Sequence, residues 1–442
     1  MEYFSDLLNG LIGSLEWVMF TLILGGGLFL LFQSKGFPLL HINKGFSYLF
    51  QKEDQKGISS FEALSAVLAS TVGLGNISGV AIAIYMGGPG VLIWMWITAC
   101  LGAVIKFYSS TLSVMLREKK SDGSPLGGPM YYMQLGIPKY GKILGVAFSI
   151  AGLFGVLPAF TANQLTQTVM QVVRPNHMLD LGLLNWKIIL GLVFMIISAW
   201  VILGGLQKIV KVTSKLVPLM VGLYFAMGLF ILIDNYTLII PALSTIFEEA
   251  FNFNTAVTGG FWGLVILGIR RAVFSNESGV GNAPMYHGQS QRKNPLHEGL
   301  VAALGPLLDT VLVCSITGII IIISGVYLES ELNGIALTLG AFNQLFFGIG
   351  DKLLLVMVLI FGISTLFTYS YYGVKCLDYL THKKWGFIYN YIYLASIVFS
   401  AMATVDIVIG IIDLSFALMC IPNMISILYL SNQVKKRIKT FS

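Results

Sequence analysis

The chain has 442 residues, of which 56% are hydrophobic and only 11% charged, with a mean hydropathy of +0.81. Soluble domains carry about 25% charged residues, so a water-soluble globule is excluded. The formal net charge of +6 would suit an acidic partner, but the lysines and arginines gather in short loops beside apolar runs, where anionic lipid is the commoner neighbour, and no nucleic-acid partner is expected.

A bilayer core about 30 Å thick takes about 20 apolar residues per helix. In chain order such runs fall near 15–33, 62–85, 89–116, 143–172, 187–204, 213–233, 256–287, 299–327, 353–378, 386–403 and 407–430. They predict an all-α integral membrane protein of about eleven transmembrane helices in a single transmembrane domain. Glu2 and Asp6 replace the basic start of a secretory signal, so the first run reads as a retained helix. If the N-terminus faces outward, only Arg174, Lys187 and Lys352 of the 27 basic residues occupy outer loops, while Lys106, Arg270 and Arg271 lie within spans. The remainder lie in inner loops, which predicts a multi-pass cell-membrane protein with an outer N-terminus and a cytoplasmic C-terminus. Cys100, Cys314, Cys376 and Cys420 lie in or at apolar runs without metal-ligand spacing and read as packing residues.

Two runs break their own helical pattern. The second contains Ser70-Thr71-Val72-Gly73-Leu74-Gly75-Asn76-Ile77-Ser78-Gly79, and the seventh contains Phe274-Ser275-Asn276-Glu277-Ser278-Gly279-Val280-Gly281-Asn282-Ala283-Pro284. Each holds a Gly-x-Gly-Asn, and the two runs enter from opposite faces, as in an inverted repeat whose broken helices build a site near the midplane. Glycine alone would indicate close helix packing. Packing does not ask for asparagine, serine and glutamate at the same depth, each of which is costly there. Freed N–H groups at half-helix starts suit a carboxylate, and freed carbonyls suit an ammonium group or a small hard cation, so a zwitterion fits both.

Thr71 to Ala81, with Gly87-Gly88-Pro89-Gly90 and Trp94-Met95-Trp96, resembles the opening motif of the alanine or glycine:cation symporters. Pro125-Leu126-Gly127-Gly128-Pro129-Met130-Tyr131-Tyr132 and Arg271 to Gly279 resemble two further motifs of that family, in the right order along nearly the whole chain. Ala272, Ser278, Asn282 and Thr161 depart from it, standing where Gly, Ala, Ser and Gln are expected. The resemblance implies a LeuT-type five-plus-five inverted repeat preceded by one extra helix: the extra helix at about 15–33, repeat one at about 62–233 and repeat two at about 256–430. It implies sodium-coupled uptake of small neutral amino acids, alanine or glycine, by alternating access, with Na+ as coupling ion, no organic cofactor and the lipid bilayer as surroundings.

The same resemblance places the sodium site. Ser364 and Thr365 stand together in the apolar ninth run, and their hydroxyls would meet the carbonyls of Ala69 and Val72. The alternative is that both hydroxyls bond back one turn along their own helix. For the substrate, the backbone of Thr71, Gly73 and Gly75, with Asn76, would form the carboxylate side. Phe274, Ser275, Asn276 and Ser278 would line the other break, the Phe274 ring limiting side-chain volume. Gln164, with Gln167 one helical row away, completes the set, although buried amides also glue helices together.

Glu277 beside Arg270 and Arg271 reads as a latch, since buried arginine and glutamate usually pair. A proton-carrying Glu277 or Asp309 is the sharper alternative and would make the symport proton-coupled. Residues 333–347 form an apolar stretch too short to span, either a lid or an interfacial helix. An enzyme would need a nucleophile–base pair or a metal set, and the five histidines lie mainly near loops without ligand spacing. A channel would need a continuous polar pore.

Overall fold

An apolar chain in hydrocarbon must satisfy its own N–H and C=O groups, and helices do so within one segment. The computed structural model describes the backbone of residues 2–51, 56–119, 123–173, 182–251, 260–329, 332–403 and 405–441, with side chains throughout except at 2–12, 14, 16, 329, 405–409 and 411. Arg174 and positions 256–259 of the seventh expected span lie outside the described residues. Regular structure there is helical apart from one small hairpin, in which Glu118–Lys119 pairs antiparallel with Pro125–Leu126.

Seven described helices are long and apolar enough to cross a bilayer: Val91–Met115, Gly141–Val173, Leu183–Ile202, Gly205–Asp234, Pro295–Ser324, Gly350–Leu380 and Ile412–Lys439. An eighth crossing is the pair Ser60–Thr71 and Gly75–Gly87, bent by 52°. The other three expected spans correspond to shorter helices, Trp17–Gln33, Gly260–Asn276 and Ile388–Met402. Among the described residues, length and composition alone pick out up to eight crossings, and with these three shorter helices each of the about eleven expected runs has a helical counterpart.

Val91–Met115 is the hub. Its most apolar stretch is 78% buried, against 28% for Leu183–Ile202 and 33% for Gly205–Asp234, so those two helices form an exposed apolar flank. Pro295–Pro306, Gly260–Asn276 and Glu2–Gln33 pack on the hub, while the long C-terminal helix Val405–Lys439 packs on Gly141–Gly155 and on Glu2–Gln33. The helix Ile335–Leu345 covers the first break: Thr338 Oγ1 donates to the Ile77 carbonyl at 3.1 Å.

A buried polar knot lies where the first broken span begins. The helix Ser60–Thr71 starts with a capping box, in which Ser59 Oγ accepts from Glu62 N–H at 3.1 Å and Glu62 Oε2 accepts from Ser59 N–H at 2.8 Å. One residue on, Ser60 Oγ donates to Glu298 Oε2 at 2.6 Å, and Glu298 Oε1 meets His287 Nδ1 at 2.6 Å. Arg292 Nε donates to Ser60 Oγ at 2.8 Å, and its other end reaches the carbonyls of Tyr48 and Gln51. The start of the first broken span and the segment after the second are thus fastened to each other. A bridge between Ile58 and Ser290 adds two backbone hydrogen bonds, of 3.1 and 2.9 Å.

Candidate binding site

Helical winding stops at Val72, whose ψ of 96° swings its carbonyl out of the helical ladder. The chain restarts at Leu74 and runs as a π-helical turn over Gly75–Gly79, a widened geometry often found at functional positions. Asn76 stabilises this break from inside. Its Oδ1 accepts from Gly73 N–H at 2.9 Å, and its Nδ2 donates to the Asp309 carbonyl at 3.2 Å and to the Asp309 carboxylate. The side chain expected to face a substrate is therefore fully buried and turned into the scaffold.

The second break follows Asn276. Glu277, with φ 53°, takes a left-handed conformation that costs a non-glycine residue about 1–2 kcal/mol. Two contacts hold it there: Asn282 Nδ2 donates to Oε2 at 3.0 Å, and the Tyr369 hydroxyl donates to Oε1. Gly279 and Gly281, with φ 85° and 102°, complete a reversal that side chains would oppose. Asn423 Nδ2 donates to the Gly279 carbonyl at 2.7 Å, and Asn423 Oδ1 in turn accepts from the Tyr132 hydroxyl. The Pro125–Tyr132 motif thus supports the second break from a distance. The expected arginine latch is not among the two contacts that hold Glu277. The buried Lys106 lies within electrostatic reach of Glu277 and of Asp309, and Arg271 and Arg270 lie within reach of Asp413.

Asp309 joins the breaks. Its Oδ1 receives Asn76 from the first and the Ser275 hydroxyl, at 2.7 Å, from the second. Ser275 Cα lies 3.4 Å from the position a Cβ on Gly75 would occupy, so the two interrupted backbones run close together there.

Beside this contact lies a cavity of about 40 Å³, which at about 10–15 Å³ per water holds about three waters, the scale of a small molecule. Ser70, Thr71, Gly73, Gly75, Thr161, Thr365 and Tyr369 make up the polar part of its wall. Leu74, Leu157, Phe160, Phe274, Ile412 and Phe416 make up the apolar part, in which the Phe160 and Phe274 rings meet edge to face, centroids 4.8 Å apart. Against this wall Thr365 Oγ1 donates to the Ala69 carbonyl at 3.0 Å, and Ser364 Oγ reaches the same oxygen at 3.4 Å. Both hydroxyls also bond back to the Phe361 carbonyl, at 3.1 and 2.8 Å. A hydroxyl that donates keeps its lone pairs, so Ala69 O, Ser364 Oγ and Thr365 Oγ1 present converging hard oxygens suited to a small cation.

Of the residues expected at the site, the structure gathers Thr71, Gly73, Gly75, Phe274 and Thr365 on the cavity wall. Ala69, Val72 and Ser364 stand immediately behind it, by the first break. Ser275 and Asn276 are turned toward Asp309 and Thr310, and Ser278 is buried with its N–H on Asn276 Oδ1. Gln164 accepts from Ser78 Oγ at 3.1 Å and lies in an amide cluster with Asn163 and Gln167 away from the wall. Sequence reasoning missed Ser70, Tyr369, Phe160, Ile412 and Phe416. Tyr369 could have been found: it lies one helical turn from Thr365 and carries the ninth run's polar face onward.

Residues 1–442 match the sodium:alanine symporter family. The sodium/alanine symporter AgcS of Methanococcus maripaludis is 37% identical, over 99% of this chain and 97% of its own length. The probable sodium/glutamine symporter GlnT of Bacillus subtilis is 31% identical, over 100% of this chain and 92% of its own. Among solved structures, that of MhsT in complex with L-phenylalanine superposes with a TM-score of 0.60 at 16% identity, covering 88% of this chain and 99% of that one, which fixes the fold as LeuT-type. The two facing breaks, the hydroxyls on Ala69 and a whole-length match together place this chain in the sodium:alanine symporter family.

Proposed function

We propose that this chain carries a small neutral amino acid, alanine or glycine, across the cell membrane with sodium, and that the cavity between the two breaks is where the substrate rides. The observation that carries the reading is the junction itself. Two interrupted helices meet at Gly75 and Ser275 beside a cavity, with the oxygens of Ala69, Ser364 and Thr365 at its edge. The helix restarting at Leu74 aims the N–H groups of its first turn into the break, which favours a carboxylate there. Since Asn76 already occupies the Gly73 N–H, the neighbouring Leu74 and Gly75 N–H groups are the better candidates. Thr71, Ser70 and Tyr369 offer hydroxyls for the ammonium end, and the Phe160–Phe274 corner takes the side chain. That corner and the small volume favour a methyl group or a hydrogen.

Sodium bound between Ala69, Val72, Ser364 and Thr365 would join a helix of the first repeat to Gly350–Leu380 in the second. Binding of ion and substrate together then favours the closed arrangement, and rocking of one bundle against the other delivers both. In this reading the basic face is cytoplasmic, and Ile335–Leu345 is an outer lid.

Uptake of labelled alanine and glycine into proteoliposomes decides the matter, with a sodium gradient, an equal potassium gradient and a pH gradient imposed separately. Accumulation is expected with sodium alone. Uptake indifferent to sodium, or driven by the pH gradient by itself, sinks the proposal and moves the coupling role to Glu277 or Asp309.

A further inference from the structure

The exposed apolar flank carries a feature that transport does not use. Leu183–Ile202 turns through Leu203 and Gly204 into Gly205–Asp234, and the turn is followed by Lys208, Lys211 and Lys215, a loop that the charge count assigns to the inner side. A groove of about 540 Å³ opens beside it, lined by Trp200, Lys208, Lys211, Lys215, Leu216 and Leu219 among others. Lys208 is committed within the protein: its Nζ lies 4.2 Å from the Trp200 ring centroid and donates to the Trp200 carbonyl. Lys211 and Lys215 are exposed and form no ion pair among the described residues, and no Asp or Glu occurs between 183 and 233.

Lysines four apart on a helix lie on one face, where like charges repel unless an anion sits between them. A dissolved anion would answer the charge but not the surroundings. Trp200 is 69% and Leu219 54% exposed, and Leu216 continues the same apolar strip along the helix away from the turn. The matching occupant is negative at one end and hydrocarbon at the other. We propose that this groove binds one anionic phospholipid, its phosphodiester between Lys211 and Lys215 and an acyl chain along Leu216 and Leu219. Trp200 then sits at headgroup depth, where tryptophan is enriched. Neighbouring Met220 on the same helix contacts Ser364, Sδ to Oγ 3.6 Å, so an occupied groove braces the helix that backs the cation oxygens.

The test reconstitutes the full chain in nanodiscs of phosphatidylcholine containing a small fraction of acyl-brominated phosphatidylglycerol, or the same fraction of brominated phosphatidylcholine. The quenched signal of Trp200 is taken as the difference from Trp200→Phe. Wild type is expected to show much stronger quenching by the glycerol lipid. Lys211→Gln with Lys215→Gln should lower that preference by about twenty-five-fold, about fivefold per lysine, while Lys211→Arg with Lys215→Arg keeps it. Equal quenching of wild type by both lipids, or a preference that survives in the glutamine variant, overturns the proposal. The readout involves no substrate, so it is independent of whether alanine is carried.

Discussion

Thr365 has two relations at once: its hydroxyl bonds the Ala69 carbonyl, and it lies 3.0 Å from where a Cβ on Gly73 would stand. Thr365→Val keeps the shape and removes the oxygen. Losing one such ligand, worth about 1.4 kcal/mol, should raise the sodium concentration for half-maximal uptake about tenfold. The thermal midpoint should hold within a few degrees, and an unchanged sodium dependence would remove Thr365 from the ion site. Phe416 faces the Phe274 ring at 6.5 Å across the apolar wall. Phe416→Ala is expected to weaken alanine uptake and to admit larger neutral amino acids, read as competition by valine or leucine; if the size limit stays put, Phe416 does not set it. Thr365 was placed near the first break by the family resemblance, since a Ser-Thr pair in an apolar run would by itself fit bonding back along its own helix equally well. Phe416 and Ile412 were not, since an almost uniformly apolar helix does not reveal which of its faces meets a cavity.

At the scale of the element, the breaks are built structures with their own internal supports. Asn76 is fully buried and serves Gly73 on one side and Asp309 on the other. Asn76→Leu, of similar size, leaves a buried N–H and a carboxylate oxygen each short of a partner. At about 1–3 kcal/mol apiece this should destabilise the protein by about 2–6 kcal/mol, seen as a large fall in the thermal midpoint in detergent; a midpoint like wild type would show that the break holds without it. Gly281→Ala is harmful for a different reason: φ is 102°, and the new Cβ would stand 2.7 Å from Phe148 Cε2. A loss of about 1–3 kcal/mol is expected from that strain, measured the same way. Both breaks were readable in advance, because glycine beside asparagine in hydrocarbon requires an explanation. Their supports were not, for Asp309, Asn423 and Tyr132 are remote in sequence and reach them only through tertiary packing. The same distance explains why the Pro125–Tyr132 stretch could be noticed as a motif without its task being apparent.

Over the whole molecule, the knot of Ser60, Glu298, His287 and Arg292 fastens the face where the first broken span begins. The count of lysines and arginines assigned that face to the inner side but carried no sign that it was fastened. Glu298→Ala releases both Ser60 and His287. A cysteine at the cavity residue Thr161, with the native cysteines replaced, should then react faster with a membrane-impermeant thiol reagent supplied from that face. One buried charged contact is worth at least about 1.5 kcal/mol, so the rate should rise about tenfold; equal rates with and without Glu298 would assign the closure elsewhere. Asp309 bears on the same economy of motion, because one carboxylate oxygen is held by Asn76 and Ser275 together. Neither interrupted segment can shift alone without pulling on the other. In the proposed transport cycle, an ion slipping through unaccompanied, or an amino acid leaking back without its ion, would have to tear that joint, and the protection against wasted gradients would be anchored behind the cavity and out of the cargo's reach.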